Sequence, residues 1–364
     1  MSDAIEKTIT LLLIIVLGLV LKSKFKNKER TNGIKEIILS VALPATIFIS
    51  LMKIEIETTM LVIPILMLIF NASLYILTPL SFPFFGIEKD SQTGRTMMML
   101  IPSLAPGLSC FPFIAEFLGD KSLAIAALAD VGNKIFVLVA LYIVALNMFL
   151  KNNTEQETNI QGKVTSLLGS MVREPINILL VLALGLLSMG INYNTLPTVI
   201  TDLFNKSSAM MTPLVLLFIG LAVQLKEGRK RTVACILFFR AGISILLSSA
   251  MIFLLNLNDP TMVMLAVVLP LSAVSFWPLA HISAFNSKED AKDIPSEKRT
   301  FDMELAVLLL AFSLPFSTIL ILGILTSGNY FADLHHLIPS GFVLLGMGAL
   351  PQIITKVYVS VSKA

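Results

Sequence analysis

Long apolar runs separated by short polar loops fill most of this chain. Ten of them can be marked: 5–21, 34–52, 60–82, 96–118, 123–149, 175–190, 208–225, 232–256, 261–283 and 303–326. Neither the two-residue alternation of a half-buried strand nor the one-sided stripe of a soluble helix runs through them. They are apolar all round, and about 20 such residues in helical form cross a bilayer. Lipid leaves helices and closed barrels as the only spanning structures, so the pattern predicts an all-α integral membrane protein. A polar stretch from Leu150 to Lys163 parts the first five runs from the last five. A further run at 337–354 is a candidate eleventh span, weakened as a helix by Gly341, Gly346, Gly348 and Pro351; the rival reading is a tail lying on the surface. The organisation predicted is 1–149, a linker 150–174, 175–326, and a tail or extra helix 327–364.

Two of the runs are interrupted. Ser103–Phe117 reads SLAPGLSCFPFIAEF, and Leu269–Phe285 reads LPLSAVSFWPLAHISAF. Proline removes a backbone donor and clashes with the preceding turn, so neither run predicts a continuous helix. A break at membrane depth is tolerated only inside protein or beside a cavity. The halves match elsewhere too: VALPATIFISLMK and MTPLVLLFIGLAVQLK each place a proline early and end at lysine, at Lys53 and Lys226. Five spans per half is odd, so the second half enters from the opposite side and the repeats are inverted. Paired interrupted spans in such repeats point to a secondary transporter's binding site.

Charge sets the orientation. Nineteen lysines and arginines fall in the loops on one side, including Lys22, Lys26, Lys35, Lys89, Arg95, Lys151, Lys226 and Arg229, against Lys7, Lys53, Lys121 and Lys206 on the other. The positive-inside rule then puts the N-terminus outside and the central linker in the cytoplasm, in a multi-pass plasma-membrane protein. Charged residues are 14% of the chain, against about 25% in soluble domains, and mean hydropathy is +0.85. The basic residues sit in loops, which argues against nucleic-acid binding. Cys110 and Cys235 lie in apolar runs, with no disulfide framework or metal spacing. The acidic MSDAIEKTIT start reads as a direct entry into the first span rather than a signal peptide. No enzyme motif, metal site or cofactor fingerprint is found; the ions expected are a coupling H+ or Na+.

The candidate site residues follow from depth and from the breaks. Ser109, Cys110, Phe111, Pro112 and Phe113 answer to Ser275, Phe276, Trp277, Pro278 and Leu279 in the other half. Half-helix N-termini there would offer N–H groups to a carboxylate, with Phe111, Phe113, Phe276 and Trp277 as apolar contacts. Asp130, Asn133 and Lys134 share the fifth run. At 1.5 Å per residue Asp130 lies roughly 12 Å deep and Lys134 roughly 18 Å, on one face and able to pair. Ionisable groups at that depth are functional by default, a structural ion pair being the alternative. Arg240 is roughly 12 Å from the cytoplasmic end and either snorkels or is buried. Asn71, mid-span, bridges helices or binds a ligand. Glu116 and His281 read as solvated groups at the mouths, and Met97–Met99 as lipid-facing or packing.

In VALPATIF (41–48), APGLSCFPFIAEFLGDKSLAIAALADVGNKIF (105–136), TPLVLLFIGLAVQL (212–225), LPLSAVSFWPL (269–279) and LLLAFSLPFSTILILGIL (308–325), the chain resembles the auxin efflux carrier family of membrane transporters. That resemblance implies two inverted five-helix repeats with broken spans four and nine crossing at mid-membrane, an arrangement like that of sodium–proton antiporters and bile-acid symporters. It implies a scaffold of spans 1, 2, 6 and 7, a mobile unit of spans 3–5 and 8–10, and a homodimer. Carboxylates such as malate, or auxin, are the implied substrates. This chain departs at Ala105-Pro106-Gly107, where members place Asn, and at Phe276-Trp277; both changes favour a bulkier or more apolar organic anion. A sodium-coupled symporter of the bile-acid type and a non-transporting sensor of the same fold are the rival readings.

Overall fold

The computed structural model describes residues 3–25, 28–53, 60, 62–153, 160–222 and 230–361. Lys26, Lys226 and Arg229, used in the charge argument, and linker residues 154–159 lie outside the described residues. Among the described residues all ten predicted runs are mainly helical, the fourth and ninth with interruptions. In the first half these are α1 (Asp3–Leu21), α2 (Lys28–Ile37) continuing through a π-turn into α3 (Leu43–Met52), α4 (Ile63–Leu77) with the short α5 (Phe82–Phe85), α6 (Gln92–Leu100), the single turn α7 (Pro106–Ser109), α8 (Phe111–Ile135) and α9 (Leu141–Asn153). The second half holds α10 (Ile160–Arg173), α11 (Pro175–Ser188), α12 (Thr198–Ala209), α13 (Met211–Ala222), α14 (Lys230–Leu254), α15 (Pro260–Val268), α16 (Phe276–Asp290), α17 (Met303–Thr326) and α18 (Leu334–Val361).

Six helical stretches among the described residues are long and apolar enough to cross a membrane, and four shorter apolar helices accompany them. Their outward faces stay apolar: Leu13, Val20, Ile76, Val181, Phe253, Ile319, Phe342 and Val343 are all more than half exposed. An apolar belt of this extent is consistent with a multi-pass membrane protein, whose solvent there is hydrocarbon.

The helices add detail to three segments. Among its described residues, 150–174 is helical over 150–153, the end of α9, and over 160–173, which is α10. A helix, α12, stands ahead of the seventh run. Of the two readings of 337–354, the helical one agrees with α18, which runs over Leu334–Val361 and packs along α14. Its glycines make the contact: a Cβ on Gly348 would overlap the Cys235 carbonyl, and one on Gly242 of α14 would overlap the Leu345 amide. Without a hydrophobic driving force between helices in lipid, such close approach of small residues is what packs them.

The same device joins α1 to α13, where Gly18 and Gly220 meet across the pair. Gly119 does something different. Its φ of 80° with ψ of −179° breaks the helical path inside α8 and so separates the fourth run from the fifth. Side-chain-bearing residues rarely adopt that conformation.

Gly220→Val should therefore force α1 and α13 apart and destabilise the protein by about 1–3 kcal/mol, as overpacking does. Gly185→Val, with no heavy atom within 4 Å of the added carbon, should be neutral. Thermal unfolding of the two variants in detergent checks the pair.

Candidate functional site

The two interrupted runs meet. Ile101 and Pro102 form the turn that ends α6, and the non-helical residues 103–105 lead into α7. In the other half a 3-10 turn at Leu269–Leu271, built on Pro270, ends α15 and leads into extended residues 272–275. Ala105 and Ala273 face each other as an isolated antiparallel bridge, with Ala105 N–H donating to Ala273 O at 2.8 Å.

Every main-chain group freed by a break needs a partner where water is absent. Arg240 of α14 supplies three. Its Nε donates to Ile101 O, Nη1 to Ser272 O and Nη2 to Ser103 O, each at 2.9 Å, with the residue 3% exposed. The planar fork thus grips both broken segments at once. Serines take the amides: Ala273 N–H donates to Ser109 Oγ (2.9 Å), Val274 N–H to Ser313 Oγ (3.2 Å) and Ser275 N–H to Ser103 Oγ (3.2 Å). Trp277 N–H goes to Ser275 Oγ. At the second break the amides of Ala273, Val274, Ser275 and Trp277 are therefore already engaged.

Beside the crossing lies a second polar group. Asn133 Nδ2 donates to Leu104 O (3.0 Å) and to Asp130 Oδ1 (2.8 Å), while Asn71 Nδ2 of α4 donates to Asn133 Oδ1 (3.0 Å). Asn71 Oδ1 is buried without a partner. Lys134 Nζ lies 3.6 Å from Asp130 Oδ2 but closer, 2.7 Å, to Glu174 Oε2, and it donates to Asn177 Oδ1 at 3.2 Å. Glu174 and Asn177 sit at the start of α11, so the lysine ties α8 to α11.

A cavity of about 900 Å³ ends on the crossing. Ala105, Ala273, Val274 and Phe276 form its floor, α17 contributes Val307 and Ser313, and α1, α2 and α13 supply Leu19, Lys35 and Phe218. Lys22 and Lys35 stand in its lining, and Lys35 Nζ lies 5.2 Å from the Phe276 ring centroid.

Of the residues singled out in the sequence, Phe276 lines this cavity. Cys110, Phe111 and Phe113 are fully buried core residues away from it, Cys110 donating to Val268 O, and Trp277 packs half-buried outside the lining. Pro278 does not make the second break, since it lies in the first turn of α16, where proline is tolerated, whereas Pro112 opens α8 directly after the non-helical Cys110 that parts α8 from α7. Ser109 and Ser275 hold the crossing. Asn71, Asp130, Asn133 and Lys134 form the polar cluster, and Arg240 is buried rather than snorkelling. His281 is buried on Val137 O instead of solvated, Met97–Met99 are core, and Glu116 is half-buried beside a cleft of about 640 Å³. Sequence reasoning missed Ser103, Ser313, Glu174, Asn177, Lys22 and Lys35 as site residues; only Ser103, inside the first interrupted run, carried a local signal. No protein-family model matches the chain, and no curated protein matches it.

Two comparisons test the site. Arg240→Met leaves three carbonyls without a donor, each such bond to a charged group being worth about 1.5–3 kcal/mol, so the variant should not fold, while Arg240→Lys, lacking the fork, should fold with a lower melting temperature. In the cluster, Lys134→Met strands two carboxylates and should lose about 3–5 kcal/mol. Asp130→Asn leaves Lys134 on Glu174 and should lose only about 1–2 kcal/mol. Gel-filtration recovery and thermal unfolding read both orders.

Proposed function

We propose that this chain is a secondary carrier that moves a small organic anion, a carboxylate with an apolar body, across the plasma membrane by alternating access, as its resemblance to auxin efflux carriers implies. The observation that carries this reading is the cavity that ends on the crossing of two broken helices with Lys22, Lys35 and Phe276 in its wall. In this reading the ten spans form two inverted repeats, with α18 an eleventh. α1–α3 and α11–α13 are the scaffold; α4–α9 and α14–α17 are the mobile unit. The cavity then lies between the units, with Leu19, Lys35 and Phe218 on the scaffold wall and Ala105, Ala273, Phe276 and Ser313 on the mobile one.

On the opposite side the units touch. Asp120, next to the Gly119 kink, accepts from Ser50 Oγ at 3.2 Å and pairs with Lys53 Nζ at 2.9 Å at the end of α3. The arrangement supports a conformer open toward the Lys22–Lys35 side, which the charge rule makes cytoplasmic, and closed toward the other. The anion's partners are the lysines, since the amides of the second break are engaged. A carboxylate pairs with Lys35, and Phe276 meets the apolar body of the substrate. Lys134, shared between Asp130 of the mobile unit and Glu174 of the scaffold, is the coupling element.

A sodium-coupled version has one observation in its favour. Asn71 Oδ1 is a buried acceptor without a partner, next to Asn133 and Asp130. Flux that depends on an imposed sodium gradient would select it over proton coupling or uniport.

Purified protein in liposomes should take up a carboxylate under an imposed gradient. Lys35→Gln should raise the half-saturating concentration about tenfold or more through loss of a charge-assisted bond. Absence of flux for every acid tried, or a Lys35→Gln variant with unchanged saturation, would overturn the reading.

A further inference from the structure

A second cavity, of about 500 Å³, opens between the ends of α4, α6 and α9. Its inner wall is apolar, with Met98 and Met148, and its rim carries Lys89, Arg95, Lys151 and the Tyr75 ring. Arg95 is fixed by main-chain carbonyls rather than by a salt bridge: Nε donates to Thr300 O (2.7 Å), Nη1 to Asp90 O (2.5 Å) and Nη2 to Arg299 O (3.4 Å). Those carbonyls position the guanidinium without neutralising it, and three of its five N–H groups are used.

Two carboxylates stand near this rim. Asp90 pairs with Lys151 at 3.5 Å, with both side chains about four-fifths exposed, and such a pair contributes little. Glu289 is fully buried and already accepts from Thr300 N–H, Thr300 Oγ1 and Asn153 Nδ2. Burial lowers the Arg95 pKa from its ordinary value, and Asp90 and Glu289 oppose that. The rim facing the cavity is thus cationic, with Asp90 as its one exchangeable counter-charge among the described residues.

What lies beside the rim decides the ligand. Ile76 lines the cavity and is 71% exposed, and Leu80, one turn on, is 60% exposed. A phosphate seated on the rim would have a hydrocarbon-facing wall running directly away from it. Basic pockets between transmembrane helices take anionic lipid head groups, and tyrosine is at home at that interface.

We propose that this cavity binds an anionic phospholipid, with the head-group phosphate on Lys89, Arg95, Lys151 and the Tyr75 hydroxyl and an acyl chain along Ile76 and Leu80. The proposal rests on the multi-pass membrane reading and is independent of what the chain transports. Bound there, the lipid would also steady the 296–302 loop, because Arg95 and Gln92 both hold it, Gln92 Nε2 donating to Ser296 O and Arg299 O at 2.7 Å.

The test uses full-length protein in neutral detergent, titrated with phosphatidylglycerol, with phosphatidylcholine and with inorganic phosphate, and read by native mass spectrometry and thermal unfolding. Phosphatidylglycerol should bind and raise the melting temperature, with an affinity that falls as salt rises; phosphatidylcholine and phosphate should do neither. Lys89→Gln with Lys151→Gln should weaken phosphatidylglycerol binding roughly twenty-five-fold, from about fivefold for each lysine near an anionic surface. Should the double variant fail to fold, Tyr75→Phe, which removes one hydroxyl, should still show a several-fold loss. Equal binding of the two lipids, stabilisation by phosphate alone, or unchanged binding in both variants would overturn the proposal.

Discussion

Hydrocarbon offers no hydrogen bonds, so every main-chain group released where a helix breaks must be satisfied by the protein itself. Arg240 meets that constraint at the crossing. One guanidinium, buried to 3% exposure, takes a carbonyl from Ser272 in one broken segment and carbonyls from Ile101 and Ser103 in the other. A lysine could not do this, because its ammonium lacks the planar fork that reaches three fixed acceptors. The serines at 103, 109 and 313 complete the other half of the accounting by accepting the freed amides. The rest of the bundle then serves to hold Arg240 in place: α14 is clamped by α18 through glycines that bring the two backbones together.

That dependence explains what could and could not be read from the chain. Apolar runs and their interruptions are local properties, so the helices and the two breaks were legible. Asp130 and Lys134 were legible as a pair because their spacing fixes a shared face. Glu174 and Asn177 were not, since they reach Lys134 from a separate helix some forty residues away and their own surroundings carry no sign of it. The partners of Arg240 are carbonyls, which every residue has, so no side-chain pattern announces them. Phe111 and Phe113 were misjudged because a helix apolar on all faces does not say which face looks into a cavity. Gly341 and Gly348 were read as weakening a helix when they form its contact surface. Pro278 was read as a break when the extended residues 272–275 lie just before its helix, while Pro112 does follow a break, at the non-helical Cys110.

Desolvation makes the buried charges a single ledger. Among the described residues Arg240 and Lys134 are buried cations and Asp130 and Glu289 buried anions, two of each sign, as a low-dielectric interior requires. All four belong to the mobile unit of the proposed carrier, which they leave without net buried charge. Glu174, a quarter exposed, belongs to the scaffold, and Lys134 reaches it across the interface between the units.

Movement of the mobile unit past the scaffold would part Lys134 from Glu174 and leave the lysine on Asp130, the longer of its two ion pairs at 3.6 Å against 2.7 Å. In the proposed carrier that change of partner distinguishes the two states, and only a differential interaction can shift a conformational equilibrium. A ligand therefore promotes the transition only as far as it interacts differently with the two states. Lys35 and Phe276 stand on different units of the proposed carrier, 5.2 Å apart across the cavity, so a substrate held between the ammonium and the ring would feel the movement of one unit past the other.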